Sequence, residues 1–291
     1  MAKMANIFLV IGDPISHSLS PILHLQFLKH FRIEGEYRAQ QVKLSNLAEA
    51  FQFFRQEEIS GINVTAPLKN GVVQFMDELT PEAELIGCVN TIKFTDNKIV
   101  GHNTDAIGFQ SSLQTDKISL AGKNVFLFGA GGAAKAVLFA LIREQCRKIF
   151  ITNRTLEKAE ALVKTVSRHF PKINIEIVPL ENEAIKTTLQ KSHVLINSTT
   201  VGMVHNPDNS TVPGADYLQD DLFVYDLIYR PFQTKLLQQA EQRNIKRKNG
   251  LGMLIFQGFE SLKFWTNQDL VLTESFYKEV ETSLRREICQ E

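Results

Sequence analysis

The sequence predicts an α/β protein, and three observations carry that prediction. Short apolar runs of strand length recur along the 291 residues, among them Ile7–Ile11, Val125–Phe128 and Lys148–Thr152. Most of these runs end in glycine, serine, threonine, asparagine or proline, and stretches with apolar residues at helical spacing lie between them. Repeated strands whose ends converge on polar residues describe a doubly wound sheet with a ligand along its carboxyl edge. The length is enough for two ordinary domains with a large core.

The first run, Ile7–Ile11, reads as a buried strand that Gly12-Asp13-Pro14 breaks. A loop with three serines follows, Ser16, Ser18 and Ser20, and closes at Pro21, a good first residue for a helix to about His30. Ser20 is well placed as the N-cap of that helix; capping does not account for Ser18 as well. Hydroxyls on a loop at the C-terminal end of a strand are in the place where α/β sheets bind ligands. Tyr37–Val42 is a second strand and Leu47–Phe54 an amphipathic helix. Gly61–Lys69 then packs a strand end, a polar cluster and a lysine into nine positions. Asn63 and Thr65 alternate with Val64 and share one face; Pro67 stops the strand and Lys69 begins the next helix. Gly87–Ile92 enters another strand, with a hairpin around Asp96-Asn97. After Val100, Gly101–Asp105 leads into a helix through Ile107, Phe109 and Leu113, with Asp105 as N-cap or in the first turn.

The most informative stretch is Asn124–Ala140, NVFLFGAGGAAKAVLFA. Val125–Phe128 is a strand, and Gly129-Ala130-Gly131-Gly132-Ala133-Ala134 is a G-x-G-x-x-A turn into a helix. Gly129 permits the tight turn, Gly131 lets backbone approach a pyrophosphate, and Ala134 keeps helix and strand close; the helix start offers N–H groups to phosphate. The next strand, Lys148–Thr152, ends at Asn153-Arg154-Thr155. An NAD site usually carries an acid near this point for the ribose 2′-hydroxyl. Arg154 stands here instead, with Lys158 one helical turn on, so the site reads as one for NADP. Val125–Ile142 has the length of a membrane span, at 18 residues with one charge. Its small residues and Lys135 break it into a buried strand and a core-facing helix. Strands over Ile173–Val178, His193–Thr200 and Leu222–Leu227 continue the alternation. Lys248–Leu254 is a glycine turn into an apolar helix that holds Gln257, most simply a helix-surface residue. The last segment reads as a charged amphipathic helix.

Bulk composition narrows the function. Lys plus Arg balance Asp plus Glu at 32 each, which points to neither nucleic acid nor an acidic membrane surface. Hydrophobic content of 44% and charged content of 22% are those of a soluble globular protein. Cys88, Cys146 and Cys289 are widely spaced and form neither a metal motif nor a disulfide framework, which fits a reducing cytoplasm. No metal is expected, and the N-terminal apolar run is too short for a signal-peptide core.

Taken together, the motifs resemble the shikimate dehydrogenase family nearly end to end. They are Ser16–Pro21, Asn63–Lys69, Val89–Thr91, Gly101–Asp105, Gly129–Ala133, Asn153–Thr155, Asn197–Met203, Tyr225-Asp226 with Tyr229, and Asn249–Leu254 with Gln257. The resemblance implies two α/β domains with a cleft between them. A substrate domain takes residues 1–104 and 251–291, and a Rossmann-like NADP-binding domain takes 105–250. It implies reversible reduction of 3-dehydroshikimate to shikimate by NADPH, in aromatic amino-acid (chorismate) biosynthesis, by a cytoplasmic monomer or homodimer. Lys69 and Asp105 match the catalytic pair. Ser18 and Ser20 match the carboxylate-binding loop, and Asn63, Thr65, Asn90, Tyr229 and Gln257 match further substrate contacts, beside Lys69 and Asp105 themselves. Cofactor contacts map to Gly129, Ala130, Gly131, Gly132, Ala133, Asn153, Arg154, Thr155, Lys158, Thr199, Leu227 and Gly250. Ala106, Cys88 and Val204-His205 depart from the usual family residues without touching these positions.

Hydride transfer to a ketone leaves an alkoxide that needs a proton. Lys69 can give one as ammonium, and Asp105 can hold both the ammonium and a substrate hydroxyl. A free lysine is protonated at neutral pH, so oxidation of the alcohol should accelerate towards alkaline pH. Two rival readings are a quinate/shikimate dehydrogenase that uses NAD, which would want an acid in place of Arg154, and a catalytically silent NADP sensor, which would have no reason to keep Lys69, Asp105, Asn90 and Gln257 together.

Overall fold

The structure is a computed structural model and describes residues 6–95 and 98–290. It divides into two compact units. One takes the chain up to Phe109 together with Leu254–Leu284; the other takes Gln110–Met253 and the residues from Arg285 on.

In the first unit the elements are β1 (Asn6–Gly12), α1 (Ser20–His30), β2 (Gly35–Gln41), α2 (Leu47–Phe54), β3 (Ile59–Val64), β4 (Glu78–Leu79), α3 (Pro81–Ile86), β5 (Thr91–Phe94), β6 (Ile99–His102) and the start of α4 (Asp105–Thr115). The strand order is β2-β1-β3-β5-β6-β4. β1 runs parallel to β2 and β3, whereas β5 is antiparallel to both β3 and β6. That mixed topology has a direct consequence. The C-terminal ends of β1, β3 and β6 and the N-terminal end of β5 all fall on one edge of the sheet, with Asn63 opposite Thr91 and Thr91 opposite His102. Asn63, Thr91 and His102, spread over 39 positions of the chain, thereby line up across the sheet by register alone. One face of the sheet packs Ile11, Phe51, Phe54, Ile62, Leu68 and Ile92 into a core. β5 and β6 form the expected hairpin ladder, with Phe94 opposite Ile99; its tip at Asp96-Asn97 lies outside the described residues.

In the second unit the elements are β7 (Asn124–Phe128), α5 (Gly132–Arg143), β8 (Lys148–Thr152), α6 (Leu156–His169), β9 (Ile175–Ile177), α7 (Asn182–Leu189), β10 (Val194–Asn197), β11 (Phe223–Asp226), α8 (Lys235–Gln242) and β12 (Arg247–Lys248). All pairings are parallel, in the order β12-β11-β10-β7-β8-β9. Read from the other edge this is the doubly wound order in which the chain reverses direction between β7 and β10. Parallel strands covered on both faces must be apolar throughout, and β7, β10 and β11 are buried at every position. The chain then continues through α9 (Leu251–Thr266) and α10 (Glu274–Cys289). The apolar stretch Val125–Ile142 is thus a buried strand and a helix, and among the described residues no helix is long and apolar enough to cross a membrane.

Two local expectations are corrected. Ser20 is not the cap of α1 but its first residue: Leu19 holds the cap position without a side-chain bond, and Ser18 Oγ accepts the Ser20 N–H at 3.3 Å. The earlier hydroxyl has moved into the role expected of the later one. Lys69 does not begin a helix. It lies in a run of turns that leads to a short 3-10 segment, Gly71–Phe75, because the Leu68 N–H is already taken up by Thr65 in a tight turn at 3.0 Å.

Candidate active site

Lys69 and Asp105 meet at the edge where β3 and β6 end and β5 begins. Lys69 Nζ lies 2.5 Å from Asp105 Oδ2, with the side chains 17% and 5% exposed. A charge pair this sheltered needs further hydrogen bonds to stay ionised. Asn90 supplies one: its Nδ2 donates to Asp105 Oδ1 at 2.8 Å and to Thr104 Oγ1 at 3.0 Å. Asn103 fixes the backbone at the start of α4, its Oδ1 accepting the Asp105 N–H at 3.0 Å. Asp105 is therefore in the first turn of α4 and leaves both carboxylate oxygens for side chains. Gln257, on α9, brings its Oε1 to 3.4 Å from the Asn90 amide nitrogen. Lys69, Asn90, Asp105 and Gln257 form one constellation, with Lys69 half-buried and the only primary amine in it.

The other predicted substrate residues of this unit fall into two kinds. Ser18 and Thr65 are half-buried, on the loops after β1 and β3, which are neighbouring parallel strands. The Thr65 N–H bonds Ile11 O at 2.9 Å, which ties the loop after β3 to the end of β1. Ser20 is 7% exposed. Asn63 is 4% exposed and turned inward: its Oδ1 accepts from Tyr37 Oη at 2.8 Å and its Nδ2 donates to Ser261 Oγ at 2.9 Å. Its hydrogen bonds lie within the unit. Behind it Trp265 donates Nε1 to Ile92 O at 2.8 Å and covers Gly61, where an added Cβ would come within 2.4 Å of the indole. His24 is stacked on Tyr37 with centroids 4.3 Å apart, and burial pushes its imidazole down to about 3. Burial also drives the Tyr37 phenol well above its usual range. Both are therefore neutral at physiological pH.

In the second unit the parallel sheet sets the predicted cofactor residues along one edge. Gly129 has φ +114°, and a Cβ there would meet Ser198 Oγ at 2.5 Å; that hydroxyl donates to Phe128 O at 2.6 Å across the gap between β7 and β10. Glycine is required at this turn. Gly131 is different. A Cβ added to it would meet no protein atom within 4 Å, and as the N-cap of α5 it has no side chain to bond the helix start. Open space at a helix start, beside Ala130, Gly132 and Ala133, suits a pyrophosphate. Asn153 closes the turn after β8 by donating to Thr155 O at 2.7 Å, and Arg154, Thr155 and Lys158 are exposed at the start of α6. Two cations and a hydroxyl on one turn suit a 2′-phosphate. The residues present fit NADP.

Asp226 is the feature that sequence reasoning quoted without a role. It is fully buried at the end of β11, where Oδ1 accepts from Asn197 Nδ2 at 3.0 Å and from the Ile228 N–H at 3.1 Å, and Oδ2 accepts from Thr234 Oγ1 at 2.7 Å. Burial pushes its carboxyl up to about 7, opposed by these three bonds. Asn197 in turn accepts from the N–H and Oγ1 of Thr199, at 3.0 and 2.7 Å. One carboxyl thus ties the loop after β10, which carries Thr199, to the loop after β11, which carries Leu227 and Tyr229. Both of the latter are half-buried. Gly250 packs so closely on Leu227 that an added Cβ would fall 1.9 Å from its carbonyl oxygen. The signal available in the sequence was an acid at the end of an otherwise apolar strand.

Comparison with known proteins agrees with this geometry. Residues 10–92 match the family model described as shikimate dehydrogenase substrate binding domain, and residues 112–222 match the one described as shikimate / quinate 5-dehydrogenase. The NADP(+) shikimate dehydrogenase of Shouchella clausii is 41% identical over 268 residues, which cover 91% of this chain and 94% of that one. A crystal structure of a shikimate dehydrogenase in complex with NADP+ has a TM-score of 0.87 at 36% identity and covers 98% of this chain and 96% of its own. The Thermus thermophilus shikimate 5-dehydrogenase in complex with NADP(H) and shikimate has a TM-score of 0.82 at 34% identity, covering 96% and 99%. On the strength of these matches, which run through both units, the chain belongs to the shikimate dehydrogenase family.

Proposed function

We infer that the protein catalyses the reversible reduction of 3-dehydroshikimate to shikimate with NADPH, a step in aromatic amino-acid biosynthesis. The observation that carries the reading is the Lys69–Asp105 pair at 2.5 Å, held by Asn90, in a chain whose relatives are NADP-dependent shikimate dehydrogenases. NADPH supplies the hydride. Lys69, as ammonium, donates a proton to the oxygen that gains charge as the ketone is reduced, and Asp105 then keeps the resulting amine in line to be reprotonated. In the reverse direction the neutral amine takes the hydroxyl proton. General acid–base help of this type is worth about 10² to 10⁴ in rate.

In this reading residues 1–104 and 251–291 hold the substrate and 105–250 hold NADP. Ser18 and Ser20 bind the substrate carboxylate, and Thr65, Asn90, Gln257 and Tyr229 contact its ring hydroxyls. Asn63 supports them from behind. Arg154, Thr155 and Lys158 bind the 2′-phosphate. The spacing of Cys88, Cys146 and Cys289, none of which is disulfide-bonded, supports a cytoplasmic location; the reading includes a monomer or homodimer. Because one matching family model is named for both shikimate and quinate, the test must separate the two. NADPH absorbance is followed with purified protein and 3-dehydroshikimate, then in reverse with shikimate or quinate plus NADP or NAD. Rapid NADPH oxidation, with shikimate plus NADP the preferred reverse pair, is expected. Preference for quinate with NAD would replace the reading, and tight NADP binding without turnover would make the chain a sensor.

A further inference from the structure

Asn90 can orient Asp105 only if its own amide is held one way round, and the residues that hold it lie behind the site. The directions of their hydrogen bonds follow from one fixed point, since a backbone N–H can only donate. The Thr104 N–H points to Asn90 Oδ1 at 2.8 Å, which makes that atom the amide oxygen and turns Nδ2 towards Asp105. Thr91 Oγ1 donates to the same oxygen at 2.9 Å. With its proton committed there, Thr91 accepts from Ser261, whose Oγ is 2.8 Å away and shares its single proton between Thr91 Oγ1 and the Gln257 carbonyl, also at 2.8 Å. Ser261 accepts from Asn63 Nδ2 at 2.9 Å, and Asn63 accepts from Tyr37 Oη at 2.8 Å.

The result is a head-to-tail chain, Tyr37 to Asn63 to Ser261 to Thr91 to Asn90 to Asp105, in which every member donates to the next. Thr91 and Ser261 are both completely buried. Hydrogen bonds aligned in this way polarise one another, and losing one link leaves buried groups unsatisfied. The chain ends on Asp105 Oδ1 and leaves Oδ2 for Lys69.

We propose that Thr91 and Ser261 are positioning residues for the proton transfer, fixing the Asn90 amide as a donor to Asp105 so that the carboxylate keeps its second oxygen for the Lys69 ammonium. The proposal rests on the dehydrogenase reading. It differs from simple core packing in what it predicts, because neither side chain is expected to touch substrate or cofactor.

The test uses the full chain with shikimate and NADP. Thr91→Val removes the hydroxyl at nearly constant volume. It should lower kcat about tenfold, the effect of one such bond, with both KM values within about twofold. Loosening the carboxylate favours the neutral amine, so the rate–pH profile for alcohol oxidation should move to lower pH. Thr91→Ser should restore both kcat and the profile. Ser261→Ala breaks the chain one link earlier, and combined with Thr91→Val it should cost no more than Thr91→Val alone. Parental kcat and pH profile in Thr91→Val, failure of Thr91→Ser to rescue, or additive losses in the double variant would each overturn the proposal. If Thr91→Val does not fold, Ser261→Ala decides: a lowered kcat with a shifted profile supports it, and parental values overturn it. A parent chain inactive with this pair would instead overturn the functional reading, and the proposal with it.

Discussion

In the first unit the predicted site residues are side chains bonded to one another; in the second they are largely backbone and the space around it. Lys69, Asp105 and Asn90 owe their positions to a mixed sheet whose strand ends coincide, and Gln257 reaches Asn90 from α9. Gly129, Gly131 and Gly250 matter for what they lack: a Cβ at the first or last would collide with its neighbours, and at the second would project into open space. Proton transfer needs a few groups held rigidly, so the first unit is sensitive to removal of atoms. Binding a long anionic cofactor needs room and N–H groups, so the second is sensitive to their addition.

The largest test of this contrast is removal at the first site. Lys69→Ala should lower kcat by about 10² to 10⁴ while the KM for shikimate changes little; unchanged turnover in the NADPH absorbance assay would sink the assignment. Addition at the second site comes next, and the two glycines should respond in opposite ways. Gly131→Val should raise the KM for NADP about tenfold or more with an unchanged unfolding temperature, because no protein atom is displaced. Gly250→Ala should destabilise by about 1–3 kcal/mol through the clash with Leu227, read as an earlier thermal transition. Equal behaviour of the two would break the comparison. Arg154→Asp should lower the preference for NADP over NAD about tenfold by removing a charge-assisted contact to the 2′-phosphate, measured as the ratio of kcat/KM values.

The smallest effect concerns the clamp between the loops of the second unit. Burial raises the Asp226 carboxyl from 3.8 to about 7. The folded chain therefore keeps a proton that the unfolded chain has released, and the stability this group contributes below pH 3.8 is lost as pH rises to about 7. Asn cannot ionise and can still accept from Asn197 and Ile228. The unfolding temperature of Asp226→Asn, relative to the parent, should rise between pH 4 and 7 and level off above. A difference independent of pH, measured by calorimetry, would show that Asp226 does not titrate in this way.

Much of the fold was legible because its signals are local. Gly129–Ala134 announces a strand, a turn and a helix within a few residues, and Leu47–Phe54 is helical over the residues its periodicity suggested. Lys69, Asp105 and Asn90 were named from short motifs and converge as expected. What stayed hidden depends on distance. Ser261 lies 170 residues from Thr91, and no pattern on α9 separates a buried serine from an exposed one. The two-residue strands β4 and β12 exist only because a neighbouring strand supplies the partner. Ser18 rather than Ser20 supplies the hydroxyl at the start of α1, because a helix start can be fixed from either residue and the choice is made by how the chain leaves β1. Asp226 was visible as a letter, but its burial was not.

On α9 the residues Gln257, Ser261 and Trp265 recur every fourth position and meet, in turn, Asn90, Thr91 and the Ile92 carbonyl. That spacing matches one stripe of a helix to three consecutive residues, Asn90 and the first two of β5. Losing or gaining a single residue between Gln257 and Trp265 would rotate the remainder by about 100° and take part of the stripe off the strand at once. Any one of the three can be exchanged at the cost of its own contact, whereas a change of length costs several. Over evolutionary time this segment is therefore free to diverge by replacement but bound to keep its number of residues, a constraint that insertion scanning along α9 would map as a sharp window of intolerance.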